Sequence, residues 1–309
     1  MISVIISTCR SAYLTSLKKN IESTIGIPYE IIDIDNLNEM GICEAYNRGS
    51  QKAKYDILCF THEDIEIKTN NWGGKVLEIF NNNREIGLLG VAGNVYKTVS
   101  PSHWSFPGAN GSSFFVNVLH GNNYGEEAPV PFFSNPKKSL LQNVAAIDGV
   151  WFCAPKKVVR EFPFDDTTCT GFHGYDVDYS LTVHQKYKVA VTFEVLIQHF
   201  STGNFTKSWI DEIIEVHKKW KDKLPLLIES FNGFNQEEEE KKAMIFFMKK
   251  MVDYDYSVAE ILKNFRFQNK IFRFSLKAYL SVLRCIIRYK YFNKEKRCSN
   301  ENQMKPLEQ

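Results

Sequence analysis

A chain of 309 residues with 44% hydrophobic and 24% charged side chains has room for one large α/β domain and a smaller appendage, in the composition of an ordinary globular protein. The formal charge of +2 excludes a basic surface spread over the whole molecule; the excess is gathered near the C-terminus, where Lys270 to Arg297 holds nine Lys/Arg against the single acid Glu295. The seven scattered cysteines (Cys9, Cys43, Cys59, Cys153, Cys169, Cys285, Cys298) contain no C-x-x-C pair, so neither a zinc site nor a disulfide framework is indicated, and reduced thiols in a cytoplasmic protein are expected.

No basic leader precedes the short apolar run at the N-terminus, and no uncharged stretch reaches membrane-spanning length. "ISVIIST" is short, β-branched and bounded by polar residues, which predicts a buried strand. Leu14, Leu17, Ile21 and Ile25 then recur at helical spacing. "YEIIDIDN" predicts a second strand, "MGICEAYNRGSQKA" a helix, and "YDILCFTHEDIEI" a third strand running into an acidic turn. "WGGKVLEIFNNN" is helical again and "IGLLGVAGNVY" predicts a fourth strand. Strands alternating with helices imply a Rossmann-like, mostly parallel sheet flanked by helices. Ligands of such sheets gather beyond the carboxyl ends of the strands.

From Lys97 to Val144 the alternation fails, and Gly, Pro, Asn and Ser predict a long irregular stretch. "AAIDGVWFCAPKKVVREF" resumes as strand, turn and short helix, "GFHGYDVDYSLTVHQKY" as a loop opening a helix, and "KVAVTFEVLIQHFS" as one or two strands. "TKSWIDEIIEVHKKWKDKL" predicts an amphipathic helix after the cap Thr206. The pattern loosens near residue 223, which divides a catalytic domain (1–222) from a helical extension (223–309). In that extension "QEEEEKK" reads as a solvated helix start.

Three groups of polar residues stand where chemistry would gather. His62, Glu63 and Asp64 follow the third strand, and acids there are costly to bury unless paired or bound to a cation; hard oxygen ligands suit Mg²⁺ or Mn²⁺. Asp64 is the best ligand, and His199, which also follows a strand, is a second. Asp176 and Asp178 open a helix behind Gly171 and Gly174, where a carboxylate serves either as a general base or as a cap; His173 and Tyr175 beside them contact substrate or merely pack. Ser7, Thr8 and Cys9 after the first strand, and Asp33, Asp35 and Asn36 at the second, are candidates to hold a nucleotide. Trp104 is a candidate stacking platform for a sugar ring, or an anchor of its own loop.

In this order the segments resemble the family-2 glycosyltransferases, in particular a glycosyltransferase-like branch with H-x-D in place of D-x-D, over roughly residues 1–205. "VIIST" with "EIIDIDN" looks like the family's opening strands and uracil-binding acid. "EAYNRGSQKAKYDILCFTHEDIEI" is similar to its A-x-N-x-G-x-x-x-A helix, strand and metal motif, and "AIDGVWFCAPKKVV" to its D-G acceptor-side strand, which brings in Asp148 and Gly149. "GFHGYDVDYSL" resembles the segment with the catalytic base, and "QHFSTG" the one with the late metal-binding histidine.

The resemblance implies an α/β GT-A fold and inversion at the anomeric carbon, with a UDP-sugar as the favoured donor. Asp176 falls at the base position, Asp64 and His199 at the metal positions, and Asp33 and Asp35 match the uracil acid equally well. His62 stands where the first acid of D-x-D is usual, and Tyr175 where a glutamate often precedes the base.

Arg273, Lys277, Ser281, Arg284 and Arg288 form a polar stripe on a predicted helix over 271–292, with Phe272, Leu276, Tyr279, Leu280, Leu283 and Ile287 on the remaining surface. Such a helix either packs with its basic face in water or lies on an anionic membrane. The second would place the protein at the inner face of the membrane, with a lipid-linked acceptor; a glycan acceptor is the other expectation. Competing readings are a sugar nucleotidyltransferase, which would normally carry a Gly-rich phosphate loop after the first strand, and a non-catalytic sugar-nucleotide or carbohydrate-binding module. Nucleic-acid binding is not expected.

Overall fold

The computed structural model describes residues 1–37, 39–121, 128–201 and 205–292, apart from the side chains of Ser11 and Phe292. Cys298, the basic run after residue 292 and residues 202–203 of "QHFSTG" therefore lie outside the described residues. The chain opens as β1 (Ile2–Thr8), α1 (Ser11–Thr24), β2 (Tyr29–Asp35), α2 (Ile42–Lys52), β3 (Ile57–Thr61), β4 (Ile65–Ile67) and α3 (Trp72–Asn82). It continues as β5 (Ile86–Gly90), β6 (Ala92–Asn94), β7 (Tyr96–Lys97), β8 (Phe114–His120), β9 (Val130–Ser134), β10 (Leu141–Asn143), β11 (Ala146–Ile147) and β12 (Trp151–Pro155). Then come α4 (Lys156–Glu161), α5 (Tyr175–Val183), β13 (Lys188–Thr192), β14 (Ile197–His199), α6 (Lys207–Lys219), β15 (Leu226–Leu227), α7 (Gln236–Asp253), α8 (Val258–Ile271) and α9 (Leu276–Phe292).

The main sheet has the order β10-β13-β5-β12-β3-β1-β2, and β10 and β12 run against the other strands. Its inner strands are buried on both faces because helices cover both. Val4 and Ile6 of β1 join a cluster with Trp72, Val76 and Ile79 of α3, while Ile5 between them joins one with Ile42 and Tyr46 of α2. Each such side chain, fully buried, contributes roughly 1.5–3 kcal/mol. This is the mostly parallel α/β sheet the alternation predicts.

A second sheet was not foreseen. It runs β11-β6-β8-β14-β4, with β9 on the edge of β8. "IGLLGVAGNVY" is thus not one strand: β5 stays in the main sheet, β6 enters the second, and β7 pairs with β15. The stretch expected to be irregular holds β8, β9 and β10, and β8 lies in the middle of the second sheet. Its "FFVNVLH" is strand-like, but Gly, Asn and Pro on either side outweigh seven residues in a composition-based reading.

The antiparallel course of β12 positions the site. Trp151 pairs with Thr61 at the carboxyl end of β3, so Asp148 and Gly149, just before β12, arrive at the rim where His62 to Asp64 follow β3. His62 N donates to Val150 O (3.0 Å) across this junction.

α6, α7, α8 and α9 enclose a third cluster around Trp209, Ile213, Phe247, Met251, Phe265 and Val282. Thr206 caps α6 as predicted, its hydroxyl accepting from Trp209 N at 3.1 Å. The start of α7 is not solvated as expected: Glu239 and Glu240 are buried, because their carboxylates accept backbone N–H groups from the segment after β7. α9 begins at Leu276, five residues later than the pattern indicates. Its inner face is Ala278, Val282 and Ile286, which leaves Leu276, Leu280 and Ile287 exposed beside Lys277, Arg284 and Arg288.

Candidate active site

His62, Glu63 and Asp64 form the corner through which the chain leaves the main sheet and enters β4. β14 runs antiparallel to β4 with His199 opposite Ile65, and Phe200 N donates to Asp64 O (3.1 Å). Strand pairing therefore carries His199 to Asp64. From Asp64 Oδ1, His199 Nε2 is 3.6 Å away and His62 Nδ1 3.9 Å. One ligand atom from each of the three residues lies within 4.8 Å of the others, a spacing that fits a shared divalent cation.

The electrostatics suit a cation. Burial acts to raise the Asp64 carboxyl, but His199, His62 and Ser201 overcome it and hold the group well below the usual carboxylate range. Burial, and then His199, push His62 down, which keeps its imidazole neutral and able to ligate. Ser201 Oγ lies 3.0 Å from His199 Nε2.

α5 supplies the acid. Gly174 caps this helix in the left-handed region (φ 72°), turning the chain so that Tyr175 and Asp176 stand in its first turn. Asp176 Oδ1 accepts from Val177 N (2.8 Å) and Oδ2 from Gly149 N (3.2 Å). Burial, and then the charge of Asp148, push Asp176 up to about 7. Asp148 itself accepts from Trp104 Nε1 (2.7 Å) and Val150 N (2.8 Å).

Asp178 points elsewhere, bonding Trp220 Nε1 (2.7 Å) and Lys219 (2.7 Å), because residues two apart on a helix do not share a face. Tyr175 Oη donates to Gly149 O (3.0 Å) and lies 2.9 Å from His62 Nε2. A Cβ on Gly149 would stand 2.2 Å from that hydroxyl, so only glycine allows the approach.

These groups open into one cavity of about 810 Å³, also lined by Ser7, Thr8, Asn36, Glu63, Trp104 and His173. The remaining predicted residues divide. Glu63 lines the cavity but turns its carboxylate from the cluster toward Thr8 Oγ1, Cys9 N (3.3 Å) and Arg10 N (3.2 Å). Asn36 braces Ser7 Oγ (3.2 Å) and the backbone of Met40. Asp33 is exposed and paired with Lys18 (3.0 Å), and Asp35 is exposed at the end of β2; neither lines the cavity. Trp104 is buried in the wall as the partner of Asp148. His173 N donates to Glu212 (3.1 Å), and burial pushes its imidazole down.

His120 was missed. It ends β8 in register with His199, faces the same cavity, and its Nδ1 is buried without a hydrogen-bond partner among the described residues. The signal was present in an apolar run ending in His, as in "VLIQH".

A mixed α/β sheet with this rim, and helices packed behind it, defines the GT-A class of glycosyltransferases. The chain belongs to the glycosyltransferase-like family, whose model matches residues 3–223. The structure of GalNAc-T7 with UDP, GalNAc and Mn²⁺ is similar in fold at a TM-score of 0.51 and 14% identity, covering 94% of this chain. This chain spans 58% of the length of that one. The structure of S. aureus TarS 1–349 with UDP-GlcNAc gives a TM-score of 0.43 at 11% identity, covering 96% of this chain and 83% of that one. No curated protein sequence matches the chain.

Proposed function

We propose that this glycosyltransferase moves a sugar with inversion from a nucleotide-diphosphate donor, a UDP-sugar in the favoured case, to a hydroxyl of a glycan or lipid-linked acceptor. The observation that carries the reading is the convergence of His62, Asp64, His199 and Asp176 on one cavity. Asp176 accepts the proton of the acceptor hydroxyl, whose oxygen forms the new bond to the anomeric carbon. The bond from that carbon to the diphosphate oxygen breaks, and its electron pair leaves on the diphosphate. A carboxyl held at about 7 is poised for this task at neutral pH.

His62, Asp64 and His199 would hold Mn²⁺ or Mg²⁺, which when bound offsets the charge that develops on the leaving diphosphate. Ser7, Thr8 and Asn36 line the side of the cavity assigned to the nucleotide. A nucleotidyltransferase is disfavoured because only Cys9 and Arg10 separate β1 from α1, leaving no room for a Gly-rich phosphate loop. The test is a thermal-shift panel of nucleotide-sugars with and without Mn²⁺, followed by the anomeric configuration of the product. Donor binding without turnover on any acceptor would leave a binding module; retention would end the single-displacement mechanism.

The outward face of α9 supports a peripheral membrane role, at the inner face of the membrane. Exposed Leu276, Leu280, Ile287 and Tyr291 alternate there with Lys277, Arg284 and Arg288, a pattern suited to an anionic bilayer surface. Among the described residues no helix is long and apolar enough to cross a membrane.

A further inference from the structure

The segment between β7 and β8 forms one wall of the cavity, and the C-terminal helices hold it at both ends. At its start Glu240 of α7 is fully buried and accepts from Tyr96 Oη (2.7 Å), Val99 N (2.9 Å) and Ser100 N (3.3 Å). Lys97, equally buried, donates to Ser102 Oγ (2.5 Å), Ser102 O (3.1 Å) and His217 Nε2 (2.9 Å) on α6. At the far end Glu239 accepts from Asn110 N (3.1 Å). Between these anchors His103 stacks on Trp209 of α6, with ring centroids 5.3 Å apart, and Trp104 donates to Asp148.

Two consecutive carboxylates buried at the start of a helix are costly unless their partners are fixed, and here the partners include backbone amides of the cavity wall, beside Tyr96 Oη on Glu240 and Lys242 Nζ (2.9 Å) on Glu239. We propose that Glu240, seconded by Glu239, is a positioning residue of the active site: the helical extension holds the wall carrying Trp104 and through it sets Asp148 beside Asp176. The extension is then a working part of the catalytic centre. This rests on the transfer reading above, in which Asp176 is the base. Neither glutamate lines the cavity, so both act only through the wall.

The test uses the full chain as wild type, Glu240→Gln, Trp104→Phe and the double variant. Three quantities are read: amide hydrogen exchange over residues 97–111, calorimetric affinity for UDP with Mn²⁺, and hydrolysis of the UDP-sugar that the donor panel selects. In Glu240→Gln, exchange in the wall is expected to rise by about tenfold or more while the amides of α7 stay protected. Hydrolytic kcat falls about tenfold, UDP–Mn²⁺ affinity changes less than about twofold, and the double variant is no worse than the poorer single one.

Unchanged exchange in the wall overturns the proposal, as do losses that multiply in the double variant. A drop in UDP–Mn²⁺ affinity as large as the drop in kcat overturns it too. Should Glu240→Gln fail to fold, Glu239→Ala frees only the Asn110 end and is read in the same way. If the wild type turns over no UDP-sugar, the transfer reading fails instead, and exchange in the wall alone decides whether α7 holds it.

Discussion

The hydroxyl of Tyr175 lies 2.9 Å from His62 Nε2, and it donates its own proton to Gly149 O at 3.0 Å. It must therefore accept from the imidazole, which fixes the proton on Nε2 and leaves the Nδ1 lone pair directed at Asp64. A tyrosine in the position before the proposed base thus prepares a proposed metal ligand. Tyr175→Phe is expected to weaken Mn²⁺ binding by about tenfold with all three ligands intact, as measured by titration calorimetry. Gly149→Ala should do at least as much damage, since its Cβ would occupy the place of the hydroxyl.

Asp64→Ala and His199→Ala each remove a member of the cluster. Activity should fall to the level found in excess chelator, and added Mn²⁺ should no longer raise the melting temperature. Full activity in chelator would remove the metal from the mechanism.

Asp176→Asn keeps the size of the side chain and removes the proposed base. Transfer should drop by about 10²–10⁴-fold, while UDP–Mn²⁺ binding survives. The wild-type rate should climb with pH as Asp176 loses its proton, with a midpoint at about 7 that bound metal moves downward.

Stability should move the other way. The folded pKa of Asp176 is raised above its unfolded value, so between about pH 4 and 7 the native state keeps a proton that the unfolded chain has released. Wild type then loses stability as pH rises through that window, and the Asn variant should lose less; parallel melts of both from pH 5 to 8 read the difference. A divalent cation in the nearby cluster would lower the group again, so the melts are run without metal.

Lys97→Met removes the ammonium from the buried network and leaves Glu240 without its nearby positive charge. Burial pushes Lys97 down to about 7 even though the charges of Glu240 and Asp176 favour its ammonium form. Leaving the buried acceptors on Ser102 and His217 without that donor costs about 1–3 kcal/mol, which urea denaturation should register.

Leu280→Asp with Ile287→Asp places charge on the outward face of α9 without touching Ala278, Val282 or Ile286. Flotation with anionic vesicles should be lost while the melting temperature holds. Equal recovery of variant and wild type would end the membrane role.

Much of the fold was legible because burial leaves a local trace. "ISVIIST" and "ILCFT" are apolar on both faces and lie inside the main sheet, and the Thr206 cap is visible one residue before its helix. The second sheet was not legible, since β6 and β14 span only three residues each and β8 lies between Gly-, Asn- and Pro-rich segments that mask it. The same limit hid the true face of α9, whose apolar residues outnumber the places that α7 and α8 offer for burial.

By itself the sequence determined the α/β alternation, the acids and histidines that end its strands, and the resemblance those segments carry in order. Tertiary structure decided which of them act together. Asp176 faces the cavity while Asp178 grips Lys219 and Trp220; Glu63 turns from the cluster; Glu239 and Glu240 leave solvent to hold a distant loop. Periodicity records whether a side chain is buried, but its partner is chosen by strand register and helix docking between segments that here lie from 27 to 141 residues apart, which no local pattern encodes.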